Sequence, residues 1–144
     1  MESIKENTIR GLKDIIKNCY HAEDILRNYA LDSDNISLKK IFIYYADLNS
    51  SYIQKLQSEI LRLGGCLEDL SSEKIYFWED KTDFLDKLKI CENSVNDAVN
   101  NYKEFSLRED ILNEVVPVIA QQYFGEKEAQ ETIKNIRSTE TSVQ

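Results

Sequence analysis

The sequence predicts an all-α protein, an antiparallel four-helix bundle made of two helical hairpins joined by a longer central link. Three observations carry this prediction. Apolar residues recur three and four apart along nearly the whole 144-residue chain, the spacing of one helical face. Adjacent glycines, Gly64-Gly65, halt that pattern almost halfway along, because glycine takes the left-handed conformation that closes a helix. The intervals after the first and third periodic segments are short, which forces antiparallel neighbours.

Helix 1 is expected over about 3–30, with Ile9, Leu12, Ile16, Cys19, Leu26 and Ala30 on its inner stripe. The polar interval Leu31-Asp32-Ser33-Asp34-Asn35 ends it, and Asp34 or Asn35 can accept from the free N–H groups that open the next helix. Helix 2, about 35–63, carries Ile41, Tyr45, Leu48, Tyr52, Leu56, Ile60 and Leu63 on one face. A less regular stretch from Cys66 to Asp80 links the halves. Helix 3, about 82–105, uses Phe84, Leu88, Cys91, Val95, Ala98, Tyr102 and Phe105. Helix 4, about 108–136, uses Ile111, Val115, Ile119, Tyr123, Ala129, Ile133 and Ile136. Pro117 then falls inside helix 4, where a missing donor predicts a kink or bulge near Leu112 to Val116. The rival reading starts the helix at Pro117 and needs Glu114 to Val116 extended. Residues 137–144 are polar and are expected to fray.

Composition bounds the rest. A chain of this length fits a single domain able to bury about 70% of its unfolded surface. Three cysteines, an odd number without metal-site spacing, point to a reducing, cytoplasmic setting with thiols as small apolar fillers. The first ten residues lack an apolar signal core, and no apolar run approaches the ~20 residues of a membrane span. The Asn-x-Ser triplets at Asn35 and Asn49 therefore carry no glycosylation meaning. With 26 acidic against 18 basic side chains, the net charge of −8 repels phosphate backbones and anionic membranes. Neither nucleic acid nor membrane is an expected partner. A shift of 72 residues lays Ile16 on Leu88 and Cys19 on Cys91, an overlap that periodic helices also produce by chance.

The phrase from Leu12 to Gly65, with Ala22-Glu23 in helix 1 and LQSEILRLGG closing helix 2, resembles bacterial ferritin-like proteins of the PA2169 type (DUF2383). Helix 3 adds Cys91-Glu92-Asn93-Ser94-Val95-Asn96-Asp97-Ala98 and Tyr102, similar to that family's phrase of cysteine, small residue, glutamate, alanines and tyrosine. The resemblance covers roughly residues 8–136. It implies a ferritin-like antiparallel bundle in a family whose biochemical role is largely unassigned.

Ferritin-like bundles that work on iron or manganese use a Glu from each of two helices and Glu-x-x-His from each of the others. Carboxylates neutralise the ions while imidazole nitrogens complete the coordination. This chain has one histidine, His21, and no Glu-x-x-His. Glu23 matches the family glutamate, its helix 3 counterpart is Val95, and Gln130 stands where the resemblance puts a histidine. A dinuclear site is thus disfavoured, and no cofactor is expected. The alternative is a degenerate iron or manganese site using Glu23 with Glu59 or Glu126. An inward carboxylate must otherwise be paired, hydrogen-bonded or protonated, and Tyr45, Tyr52, Tyr102 and Tyr123 offer hydroxyls to Glu23. His21, about 160° round the helix from Glu23, reads as a surface side chain.

No catalytic residue set emerges. Cys19 and Cys91 fall on core stripes, Cys66 has no activating neighbour in the sequence, and Gly11 and Gly125 stand alone rather than in a phosphate loop. The run Ile75-Tyr76-Phe77-Trp78 reads either as a cap over one end of the bundle or, through Tyr76, Phe77 and Trp78, as a patch docking a second copy or another protein. The favoured function is a non-catalytic structural or interaction module. Metal-binding oxidoreductase or storage chemistry is the alternative.

Overall fold

The computed structural model describes residues 3–68, 70 and 83–143. Among these residues lie four long helices, α1 (Ile4–Asp32), α2 (Ile36–Arg62), α3 (Phe84–Ser106) and α4 (Val116–Val143), and a 3-10 turn at Asn113–Val115. No strand occurs among the described residues. The protein is a four-helix bundle.

Side-chain caps set where each of the first three helices starts. The Ser3 hydroxyl accepts from Glu6 N–H at 3.0 Å, Asn35 Oδ1 from Leu38 N–H at 3.1 Å, and Asp83 Oδ1 from Asp86 N–H at 2.8 Å. Each fills one of the donors that a helix start leaves open. At the end of α2, Gly64 has φ +86°. There the Gly65 N–H reaches the Ile60 carbonyl at 2.9 Å and the Gly64 N–H reaches that of Leu61 at 3.0 Å. This paired closure needs a left-handed residue after the helix, which is what the double glycine supplies.

The direction of each helix follows from what its ends touch. Gly11, early in α1, lies under the Phe105 ring at the end of α3. Tyr29, late in α1, meets Phe84 at the start of α3, with ring centroids 5.7 Å apart. So α1 and α3 are antiparallel. Gly64 lies beside Lys5 at the opposite end of the bundle from Phe84, so the link between the hairpins joins opposite ends. A single long crossover of this kind distinguishes ferritin-like bundles from up-and-down ones. α1 packs against both α2 and α3, α3 packs against α4, and the α2–α4 seam is the most sparsely packed.

Helix 4 differs from its expected span. The structure starts it at Val116 rather than about 108, so Pro117 lies in the first turn instead of kinking an interior. Continuing the helix back through Asn113 would drive the proline ring into that residue's carbonyl. Glu114 to Val116 are not extended either: Asn113–Val115 close the 3-10 turn, and Val116 is helical at φ −56°, ψ −44°. A long-range bond fixes the connection, since the Leu112 N–H donates to Thr8 Oγ1 at 2.8 Å while that hydroxyl donates to the Ile4 carbonyl at 2.7 Å. At its other end α4 continues through Val143, as residues 137–143 contain neither glycine nor proline. The run Tyr76, Phe77 and Trp78 lies outside the described residues.

The apolar core is divided. One cluster gathers Leu12, Ile16, Leu56, Ile60, Phe105, Val115 and Ile119 near the α1 start. The other gathers Leu26, Tyr29, Phe42, Leu88, Val95, Ala129 and Ile133 near the α1 end. Burying each of the Leu, Ile, Val and Phe side chains among them stabilises the fold by ~1.5–3 kcal/mol. Between them lies a polar waist that includes Gln122 and Glu126.

Candidate functional site: a polar waist at mid-height

The waist is built from all four helices. On α4 the positions 119, 122, 126, 129 and 133 are all buried, a stripe at helical spacing, so Gln122 and Glu126 are carried inward with their apolar neighbours. α1 contributes Cys19, α3 contributes Tyr102 and α2 contributes Tyr52. Cys19 and Tyr102 are fully buried, while Tyr52 is half-buried.

A chain of hydrogen bonds crosses these helices. The Tyr102 hydroxyl donates to Gln122 Oε1 at 2.6 Å. Cys19 Sγ lies 3.4 Å from the same hydroxyl oxygen. A phenol has one proton, and Gln122 receives it, so the Cys19 thiol is the donor to Tyr102. Gln122 Nε2 in turn donates to the Tyr52 carbonyl at 3.3 Å. Burial pushes both the thiol and the phenol far above their ordinary ranges, with Glu126 raising both further. Every group in the chain therefore keeps its proton at neutral pH.

Glu126 lies one turn beyond Gln122. It is 1% exposed, and neither carboxyl oxygen has a hydrogen-bond partner among the described residues. Removal from water disfavours the carboxylate and pushes its pKa up to about 8, so the neutral acid dominates at pH 7. Burial, followed by the Glu126 charge, likewise pushes Tyr52 up to about 12.

The three carboxylates expected as metal ligands are not brought together. Glu23 sits at the rim, where Arg27 donates to it through Nε at 3.2 Å and Nη2 at 2.9 Å. Arg27 also meets Asp47 on α2 at 2.9 Å, so the triad is an α1–α2 tie. Two of the four tyrosines expected to satisfy Glu23 go elsewhere: Tyr102 to Gln122, and Tyr45 to the Thr132 hydroxyl at 2.9 Å. Glu59 is seven residues beyond Tyr52, roughly 10 Å along α2, and pairs with Arg62 at 2.8 Å. Val95 is buried in apolar surroundings. Gln130 donates to Asn96 Oδ1 at 2.7 Å. His21 is exposed, and Cys66 is exposed while Cys91 is buried.

The donor chemistry of the waist does not fit a pair of divalent cations. One carboxyl, one thiol, phenols and an amide supply at most a fraction of the negative charge that two such ions need, and no imidazole reaches them. Among the described residues, no group of three or more His, Cys, Asp or Glu side chains is placed to hold a metal ion. A surface concavity of about 350 Å³ at the α1–α2 turn is lined by Tyr29, Asp32, Asn35, Phe84 and Lys87. Its Lys87 and Asp32 are 3.5 Å apart and neutralise each other. No helix among the described residues is long and apolar enough to cross a membrane.

Sequence reasoning named Glu126 but missed the relay through Gln122. The available signal was a glutamine and a glutamate four apart on the same stripe as Ile119, Ala129 and Ile133.

No protein-family model matches the chain, and no curated protein matches it. Solved structures do. A two-domain protein from Anabaena variabilis, described as containing DJ-1/ThiJ/PfpI-like and ferritin-like domains, superposes with a TM-score of 0.80 at 13% identity. That match covers 97% of this chain but only 38% of the Anabaena protein. A protein from Bacillus anthracis, described as ferritin-like and diiron-carboxylate, superposes with a TM-score of 0.78 at 18% identity, covering 95% of this chain and 99% of the other. At these identities the likeness is one of fold.

Proposed function

We propose that this ferritin-like bundle is a non-catalytic structural or protein-interaction module. The observation that supports this reading is the donor set at mid-height. Where a metal-dependent bundle needs several carboxylates and imidazoles, the waist has a single carboxyl held mostly neutral among a thiol, phenols and an amide. The expected partner is a second copy of the chain or another protein. Tyr76, Phe77 and Trp78 are the sequence's candidates for that contact. The free cysteines favour a cytoplasmic setting, and the net charge of −8 disfavours nucleic acid. Within the fold, the phrases Ala22-Glu23 and LQSEILRLGG support placement with the PA2169-type proteins.

A second reading has one specific observation in its favour: both Glu126 oxygens are buried without partners, as they would be in a ligand awaiting a cation. On that reading the chain is an iron- or manganese-binding protein with a degenerate site around Glu23 and Glu126, as the description of the Bacillus anthracis structure suggests. Protein purified without chelator separates the two. The structural reading expects no stoichiometric iron or manganese and a melting temperature unchanged by EDTA. Stoichiometric metal that is lost on Glu23→Ala or Glu126→Gln overturns it.

A further inference from the structure

We infer that Cys19, Tyr102, Gln122 and the Tyr52 carbonyl form a cation-free relay that ties all four helices together in the bundle core, the region from which metal-dependent bundles build their sites. This deepens the structural reading proposed above. Each helix supplies one member: the α1 thiol to the α3 phenol at 3.4 Å, the phenol to the α4 amide oxygen at 2.6 Å, and the amide nitrogen to the α2 carbonyl at 3.3 Å. Cys19, Tyr102 and Gln122 are each at most 2% exposed, so the relay is shielded from competition by water and its bonds polarise one another.

Two features make the relay more than incidental packing. The last bond crosses the α2–α4 seam, the most sparsely packed of the bundle, where a directional tie adds most. The relay also lies against the first core cluster, to which Cys19 and Tyr102 belong: an axial slip of one helix would preserve much of the apolar contact but would break the relay, leaving buried donors and acceptors unpaired. Tyr102 and Gln122 are thus positioning residues that set helix register.

The test is a double-mutant cycle in EDTA-treated full-length protein, with Tyr102→Phe, Gln122→Met and the pair, read by urea unfolding. The relay predicts that each single variant and the pair lose comparable stability, with a coupling of roughly 5- to 30-fold in the unfolding equilibrium. Additive losses overturn it. The Cys19 S–H infrared band, assigned by its loss in Cys19→Ser, gives a readout that packing alone does not move. It should be shifted to lower frequency in the wild type and return toward the free-thiol position in Tyr102→Phe; an unshifted wild-type band overturns the relay even if Gln122→Met fails to fold. Adding ferrous iron or manganese to the wild type keeps the two claims apart. A melting temperature raised by stoichiometric metal counts against the non-catalytic reading, while additivity in the metal-free cycle counts against the relay alone.

Discussion

The Tyr52 hydroxyl occupies the space that a side chain at Gly125 would need. α2 and α4 approach each other there through a ring tip laid on bare backbone, beside Glu126, and Gly125 is what allows it. An alanine at 125 would gain about 1 kcal/mol of helix propensity but would collide with a rigid ring, a conflict that costs ~1–3 kcal/mol. We expect Gly125→Ala to lower the melting temperature in the wild type and to do so by less in a Tyr52→Phe background. Equal losses in the two backgrounds would show that the hydroxyl is not the obstacle.

Glu126 links stability to pH. Its carboxyl holds a proton more tightly when folded, at about 8, than at its ordinary 4.5. Stability is therefore fully retained below about pH 4.5, falls as pH rises through the interval, and levels off above about 8. The titratable groups facing it are Cys19 on α1, Tyr52 on α2 and Tyr102 on α3, and all keep their protons across that range. Glu126→Gln removes the titration. Urea midpoints for wild type and variant should converge near pH 4 and diverge with rising pH, the variant being more stable by on the order of 4 kcal/mol near pH 8. Parallel pH profiles would contradict the assignment.

Thr8 anchors the α3–α4 connection. It is fully buried, and Thr8→Val keeps its volume while stranding the Leu112 N–H that it accepts. Leaving a part-buried donor unpaired costs about 1 kcal/mol. The variant should lose that much stability and show faster hydrogen exchange at the Leu112 amide, whereas Thr8→Ser should retain most of both. Unchanged exchange at Leu112 in Thr8→Val would remove the anchor.

How far the sequence could be read depended on what each signal encodes. The Gly64-Gly65 stop and the Asn35 cap are local chemistry, and both fall where the residues place them. The start of α4 is different. Ile111, Val115 and Ile119 are four apart and all buried, so periodicity reads a helix through them; yet only Ile119 lies in α4, while an irregular segment buries Ile111 and a 3-10 turn buries Val115. Period reports burial, not backbone hydrogen bonding. The waist was half legible for a related reason. A carboxylate on an inner stripe identifies Glu126, but which hydroxyl meets which acceptor depends on helix register. The Tyr102 phenol reads equally well as a partner for Glu23, which instead takes Arg27 from its own helix.

Pro117 offers a test in which the sign of the effect is decisive. Were it in a helix interior, Pro117→Ala would relieve a clash and restore a bond, stabilising the protein by about 3 kcal/mol. In the first turn of α4 its missing N–H has no intrahelical acceptor to lose, and its fixed φ suits the helix start. There the proline restricts the unfolded chain at no cost to the folded one, so replacing it should destabilise by about 0.4–1 kcal/mol. Helical content by circular dichroism supplies an independent check. The Thr8–Leu112 bond holds the preceding segment, so Pro117→Ala alone should add no helix, while Pro117→Ala combined with Thr8→Val should let α4 extend back toward Asn113. A gain in stability from the single variant would return Pro117 to a helix interior.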